Sequence, residues 1–500
     1  MNAQTTFGQC LKSILDSRDL SLQTAAKIMQ MKSATSLSRI IHDEVNTKTL
    51  EKFCDQLLSN ESIALQPEEI AALQRALAIQ RTGIDDYIAQ QIMWQLLISD
   101  PEKTQQEDYA IHGYGGAMQH TGITSLSQVI ALYRQCTDIE IIITGCCHFS
   151  LLNAFYPLAA RKTNPARITH FLHNRTKTPH VLLGSITAIR RFLSLTGYTA
   201  YITDPIALTP EACAIYSSNE ILCQFVDPCG KKRMHHMVLS APRQLMMIEY
   251  RHPSPFSFHI ARLQQHQASL SPIQTQYPAN VTIYDYIRMA DKKRRTENNR
   301  SIYSIKPDIH VTDVHPDILA AAAMRHLKNL NHPVNNAFKK IYDQLYSIQM
   351  MRWQNIYTKK KVTHTVLSVS AMHKFAQTGL QSDHFFALDP YTPAERRKIF
   401  LHLRQQMIEN PYFNLHFSAE DSMPFHLEIT GYEGYGVLIS NAHSPRNLAK
   451  GHAESLITQQ VFNQAFQDFF TKELIPHHVL PMQKGIALLD QWIAALPEND

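Results

Sequence analysis

The sequence predicts a multidomain protein, with a small all-α domain at its N-terminus and a large α/β or α+β region behind it. Three observations carry that expectation. The chain has 500 residues, more than one hydrophobic core usually serves. Hydrophobic residues make up 44% and charged residues 18%, the balance of a folded chain and the opposite of a disordered one. The N-terminal stretch repeats apolar residues at helical spacing only, whereas strand-like and helix-like patterns alternate further along.

Each element follows from local chemistry. Phe7, Leu11, Ile14 and Leu15 mark the apolar face of a first helix. Ser21 reads as the N-cap of a second, Ser33 or Ala34 opens a third over "TSLSRIIHD", and Thr47 caps a fourth over "TKTLEKFCDQLL". In "LQPEEIAALQRALAIQR", Pro67, Glu68 and Glu69 sit in the first turn, where a missing N–H does no harm and negative charge suits the helix dipole. A further helix, "DDYIAQQIMWQLLISD", follows. Residues 100–122 hold Gly113, Gly115 and Gly116, which predicts a hinge.

Beyond it come a helix in "SLSQVIALYRQC", a buried strand in "IEIIITG" and a hairpin in "EILCQFVDPCGKKRMHHMVLS", turning at Pro228-Cys229-Gly230. A polar then basic stretch over residues 264–301 breaks the pattern, and its run Lys292 to Arg295 with Arg300 reads as a solvated loop between domains, with contact to DNA as the alternative. The last region is helical in "DILAAAAMRHLKNL" and "NNAFKKIYDQLYSIQMMRW". It then alternates helix, strand, strand and helix, and closes on the amphipathic "GIALLDQWIAAL". No internal repeat is visible. The expected domains are 1–62, a helical linker and hinge over 63–115, an α/β domain over 116–310 and an α+β sensor or oligomerisation domain over 311–500.

The segment "SLQTAAKIMQMKSATSLSRIIHDEVNTKTLEKFCDQL" resembles the helix-turn-helix of Cro/repressor-type (XRE-like) transcription factors over about residues 7–60. Ala26 is small where the second helix approaches the third, Met31 is the apolar turn residue, and Leu37 and Ile40 face the core. Between Lys27 and Arg39 lie three bases and no acid. The resemblance implies a double-stranded DNA operator as partner, read in the major groove by the third helix. It makes Lys32, Ser33, Thr35, Ser36 and Arg39 the candidate DNA-binding residues, with Lys48 near a phosphate at the next helix N-terminus. Asp43 and Glu44 depart from the family, which often has a Gly-containing basic turn there. One short helix contacts few base pairs, so a homodimer is expected, and the remaining chain is expected to sense a small-molecule or peptide effector.

Other chemistries find little purchase. Eight cysteines in so long a chain are not a disulfide scaffold, and the 26 histidines are scattered without ligand spacing, so no metal and no cofactor are expected. His235 and His236 alternate on a strand and would point to opposite faces. His443, His452 and Glu454 have no ligand spacing either. A Gly-rich phosphate loop, a Gly-x-Ser-x-Gly elbow and the His-x-Lys pattern with a downstream acid that phospholipase-D chemistry needs are not found. No catalytic residue is assigned. The rival reading, an enzyme fused to the N-terminal head, would centre on Cys146, Cys147 and His148. A third makes that head a protein-interaction module. "GYEGYGVLIS" reads as a tight hairpin or the wall of a pocket. A formal charge of +5 confines any nucleic-acid contact to a local patch. Without a signal peptide or an apolar run long enough for a bilayer, the protein is expected to be cytoplasmic.

Overall fold

The computed structural model describes residues 6–60, 63, 65–98, 108–113, 123–145, 149–161, 163–173, 179–193, 195, 197–203, 219–241, 243–250, 261, 273–277, 283–329, 336–358, 360–381, 389–418, 425, 427–440 and 452–498. The chain forms two compact units, residues 1–91 and 92–500.

The first unit is all-α. Its helices are α1 (Phe7–Asp16), α2 (Leu22–Ile28), α3 (Ala34–Ile41), α4 (Thr47–Leu58) and α5 (Pro67–Thr82). Side chains of Thr6, Ser21, Ser33 and Asn46 accept N–H bonds at the starts of the first four. The cap of α4 is therefore Asn46, one residue before the expected Thr47, because the Asn46 carboxamide reaches the Thr49 N–H at 3.0 Å. Phe7, Leu11, Leu37, Leu50 and Leu73 are fully buried in one core. A Cβ at Gly8 would lie 2.1 Å from the Ile41 carbonyl oxygen, so only glycine lets α1 meet the end of α3. Asp43 Oδ1 accepts the Gly8 N–H at 3.1 Å, which ties the turn after α3 to the start of α1.

Helix α5, beyond residue 62, packs in the first unit as well. Leu73 and Ala76 of α5 belong to this core, and Arg18 clasps Glu69 through two bonds of 2.7 and 2.6 Å. The division falls at Gln91, inside α6 (Ile84–Ile98). Most of the expected hinge lies outside the described residues, and the part that is described contains a strand, β1 (Ala110–Gly113).

The second unit holds two seven-stranded sheets. The first adds to β1 the strands β2 (Thr137–Thr144), β3 (Arg167–His173), β4 (Tyr198–Thr203), β5 (Glu220–Val226), β6 (Lys232–Ala241) and β7 (Gln244–Tyr250). The second contains β8 (Gln274–Tyr277), β9 (Ile302–Lys306), β10 (Thr363–Leu367), β11 (Phe413–Phe417), β12 (Glu428–Tyr432), β13 (Gly436–Ser440) and β14 (His452–Ile457).

Their orders, β1-β7-β6-β5-β2-β3-β4 and β8-β14-β13-β12-β9-β10-β11, are the same arrangement met twice. In each, the second, third and fourth strands run parallel and the fifth to seventh form an antiparallel meander. Helices occupy matching places: α7 (Leu126–Tyr133), α8 (Phe149–Ala159) and α9 (Pro179–Ile189) in the first half. In the second half, α10 (Ile283–Glu297) precedes β9, α11 (Pro316–Asn329) and α12 (Asn336–Tyr357) precede β10, and α13 (Val369–Thr378) and α14 (Pro393–Glu409) precede β11. The halves also differ at one edge: β1 is parallel to β7, while β8 is antiparallel to β14.

The repeat that the sequence does not show is therefore a repeat of topology. Strands such as β2 (TDIEIIIT) and β9 (IYSIK) need only a buried apolar pattern to pair, and share almost nothing else. The strands β8 and β9, both before residue 310, pair within the second sheet, and α10 lies between them in the chain. The basic run Lys292 to Arg295 is part of α10, not of a loop. No described helix is long and apolar enough to cross a membrane.

Candidate functional site

Two places in the chain concentrate chemistry. The first is the outer face of α3. Leu37, Ile40 and Ile41 turn inward, which leaves Lys32, Thr35 and Arg39 exposed. Lys27 on α2 and Lys48 in the first turn of α4 are exposed as well. Gln30 takes a left-handed φ of 53° in the turn before α3, and the Met31 N–H reaches back to the Ala26 carbonyl at 2.9 Å, closing α2.

The six sequence-nominated residues divide into two sets. The Ser33 hydroxyl accepts the Ser36 N–H at 3.2 Å and lies 3.1 Å from the Ser36 hydroxyl, so both serines serve the start of α3. Lys32, Thr35, Arg39 and Lys48 remain outward. Arg39 leans on the Glu44 carbonyl at 3.4 Å, with the Glu44 carboxylate 4.0 Å from its Nε, and both side chains stay well exposed. Lys27, Lys32 and Lys48 carry no ion pair among the described residues. The first unit as a whole holds nine Lys and Arg against eleven Asp and Glu, so its positive charge is a local feature of this face.

The second place was not nominated by the sequence. It lies where β9 ends and β12 begins, the carboxyl end of a central parallel strand, where open α/β sheets hold ligands. Glu428, the first residue of β12, stands opposite Ser440 on β13, which stands opposite Glu454 on β14. All three are buried. Lys293 of α10 meets Glu454 at 2.6 Å. Burial by itself lowers the pKa of the Lys293 ammonium, but Glu454 and Glu428 beside it raise it above its ordinary value.

On the same helix Glu297 takes three bonds of 2.6–3.1 Å from Arg352 of α12, both side chains being buried. Lys306, the last residue of β9, binds Asp313 at 2.8 and 3.1 Å. In the first half the matching row reads Thr144, Glu220, Val238 and Met246, so a glutamate recurs at the place of Glu428 while Ser440 and Glu454 are replaced by apolar residues. A glutamate inside the apolar run "LEITGY" was the one signal of this cluster that the sequence offered.

Other nominated residues take structural places. His235 is buried, with Nδ1 2.8 Å from the Tyr133 hydroxyl, while His236 meets Glu220 at 3.2 Å on the other face. Glu454 faces Lys293 rather than a metal, and among the described residues no three His, Cys, Asp or Glu are grouped as a metal would need. Cys146, Cys147, His148 and His443 lie outside the described residues. "GYEGYGVLIS" is the β12–β13 hairpin, with Gly434 at φ 67° in its turn.

No family model and no curated protein matches the chain. Among solved structures, it is similar to a polyphosphate kinase from Porphyromonas gingivalis at 10% identity, over 74% of this chain and 53% of that one, with a TM-score of 0.20. The chain thus spans about half the length of that kinase. A phosphatidylserine synthase from Haemophilus influenzae is similar at 8% identity, over 74% of this chain and 91% of that one, with a TM-score of 0.25.

Proposed function

We propose that this protein is a sequence-specific DNA-binding regulator, in which residues 1–91 read an operator and residues 92–500 sense an effector or recruit a partner. One observation carries the reading. An eight-residue helix turns a polar face outward, bordered by exposed Lys27, Lys32, Arg39 and Lys48, on a unit whose other charges are mostly acidic. Such a helix, about 12 Å long, fits the major groove, where Thr35 and Arg39 would meet base edges and the lysines phosphates. Ser33 and Ser36 hold its N-terminal turn in shape. A homodimer would set two such helices against neighbouring half-sites.

The test is selection from a random duplex pool by the full chain. Wild type is expected to enrich a motif, and the Thr35→Ala, Arg39→Ala double variant to enrich none while keeping its helical circular dichroism. Absence of enrichment by wild type at low salt, where phosphate contacts are strongest, would overturn the reading.

The buried row Glu428, Ser440 and Glu454 with Lys293 favours a second reading, in which residues 92–500 are an enzyme attached to the DNA-binding head. Turnover of any component of a small-molecule extract by the purified chain, lost in Glu428→Gln and kept in Arg39→Ala, would support it.

A further inference from the structure

The helix α10 has two chemical faces. Its inner face carries Lys293 and Glu297, both committed to buried partners. Its outer face carries Arg288, Lys292 and Arg295 at i, i+4 and i+7, which places three cations in one row over two turns. Arg300 follows just past the helix end and lies over the ring of Tyr435, its guanidinium carbon 4.6 Å from the centroid. Arg300 also donates to the Thr296 carbonyl at 2.8 Å, so its head group is held in place before any ligand arrives. Together with Asp291 and Thr296 these residues line a cleft of about 450 Å³ between α10 and the β12–β13 turn.

Charge and size define what fits. The lining holds four cations against one carboxylate, and Asp291 is already paired with Arg294 at 2.8 Å and Arg295 at 2.6 Å. Like charges one helical turn apart weaken a helix, and an anion lodged between them reverses that penalty. A single phosphate brings a charge of roughly −2 at most, less than the surplus of the lining, whereas two linked phosphoryl groups match it. The volume lies in the range of small-molecule sites, roughly 300–1,000 Å³. The cationic row is only about 10 Å long, too short to follow the backbone of a duplex.

We propose that this cleft binds a small molecule carrying a diphosphate group, gripped by Arg288, Lys292, Arg295 and Arg300 beside Tyr435. The site stands independently of whether α3 reads DNA.

Isothermal titration calorimetry on the full chain tests it, with inorganic pyrophosphate, ADP and a random-sequence DNA duplex as probes. Pyrophosphate or ADP is expected to bind, and the Lys292→Glu, Arg295→Glu double variant to lose at least about tenfold in affinity, the scale of losing charge-assisted bonds. The neutral Lys292→Gln, Arg295→Gln pair guards against misfolding and is expected to lose affinity in the same direction at an unchanged melting temperature. Tighter binding of ADP than of pyrophosphate assigns a nucleoside diphosphate, and equal binding an inorganic one; either supports the site. The Arg39→Ala chain, impaired in DNA binding under the proposed function, is expected to bind both as wild type does. No binding of either small probe overturns the proposal, as does binding that survives in both double variants. Displacement of pyrophosphate from this cleft by the duplex overturns it too.

Discussion

At the scale of single residues, buried charge is the most consequential feature of the second unit. Glu297 and Arg352 are 5% and 4% exposed, and each satisfies the other. Removing one partner strands a charge, so Arg352→Met is expected to cost about 3–5 kcal/mol in urea unfolding, whereas adding Glu297→Leu recovers part of the loss. A double variant no more stable than the single would refute that account of the pair. Protonation acts at the same scale. Burial pushes His235 down to about 4, with Arg233 adding to the effect, and His402 and His416 are likewise pushed down to about 4 by burial, helped by His315 and His364 respectively. Their unfolded value is near 6.5, so the unfolded chain takes up protons first as pH falls. The stability that neutral His235 contributes is complete above about pH 6.5 and declines toward pH 4, by up to about 1.4 kcal/mol per pH unit. The urea midpoint is expected to be lower at pH 5 than at pH 7.5, and a midpoint that rises instead would contradict this assignment.

At the scale of elements, α5 decides where the first unit ends. Its Leu73 and Ala76 complete the core and its Glu69 anchors Arg18, so a fragment of residues 1–91 is expected to melt cooperatively and a fragment of residues 1–62 at a clearly lower temperature. Equal melting temperatures would place α5 outside the unit. The contact between α1 and α3 makes a second prediction. Gly8→Ala forces a methyl group into the Ile41 carbonyl and is expected to cost about 1–3 kcal/mol in the same melts. Helices with strong caps and strict apolar spacing, such as α1 to α4, were legible in the sequence because local chemistry alone specifies them. The fate of α5 was not, because a capped amphipathic helix looks the same whether it links domains or closes a core. Lys292 to Arg295 misled for a related reason. A charge run suggests solvent, yet Lys293 turns inward to Glu454, a residue far along the chain that no local pattern reveals.

At the scale of the whole molecule, residues 92–500 are one topology used twice, and the second copy carries the row Glu428, Ser440 and Glu454 with Lys293 and the basic cleft of α10. Strand order depends on pairings between distant segments, so it left no trace in composition or period. The candidate DNA-reading face was legible because it is local: Lys32, Thr35 and Arg39 sit within eight positions and the structure leaves all three exposed. Ser33 was legible as the opener of α3, and its hydroxyl accepts the Ser36 N–H; the contact between the Ser33 and Ser36 hydroxyls was not, because it depends on side-chain rotamers.

The central claim, that α3 reads DNA, is tested most directly by fluorescence anisotropy on the selected duplex across a salt series. Lys32→Ala is expected to weaken binding evenly across sequences and to reduce the salt slope by about 1, while Arg39→Ala relaxes discrimination by about 1–3 kcal/mol at one base position. Unchanged affinity, slope and discrimination in both variants would contradict it.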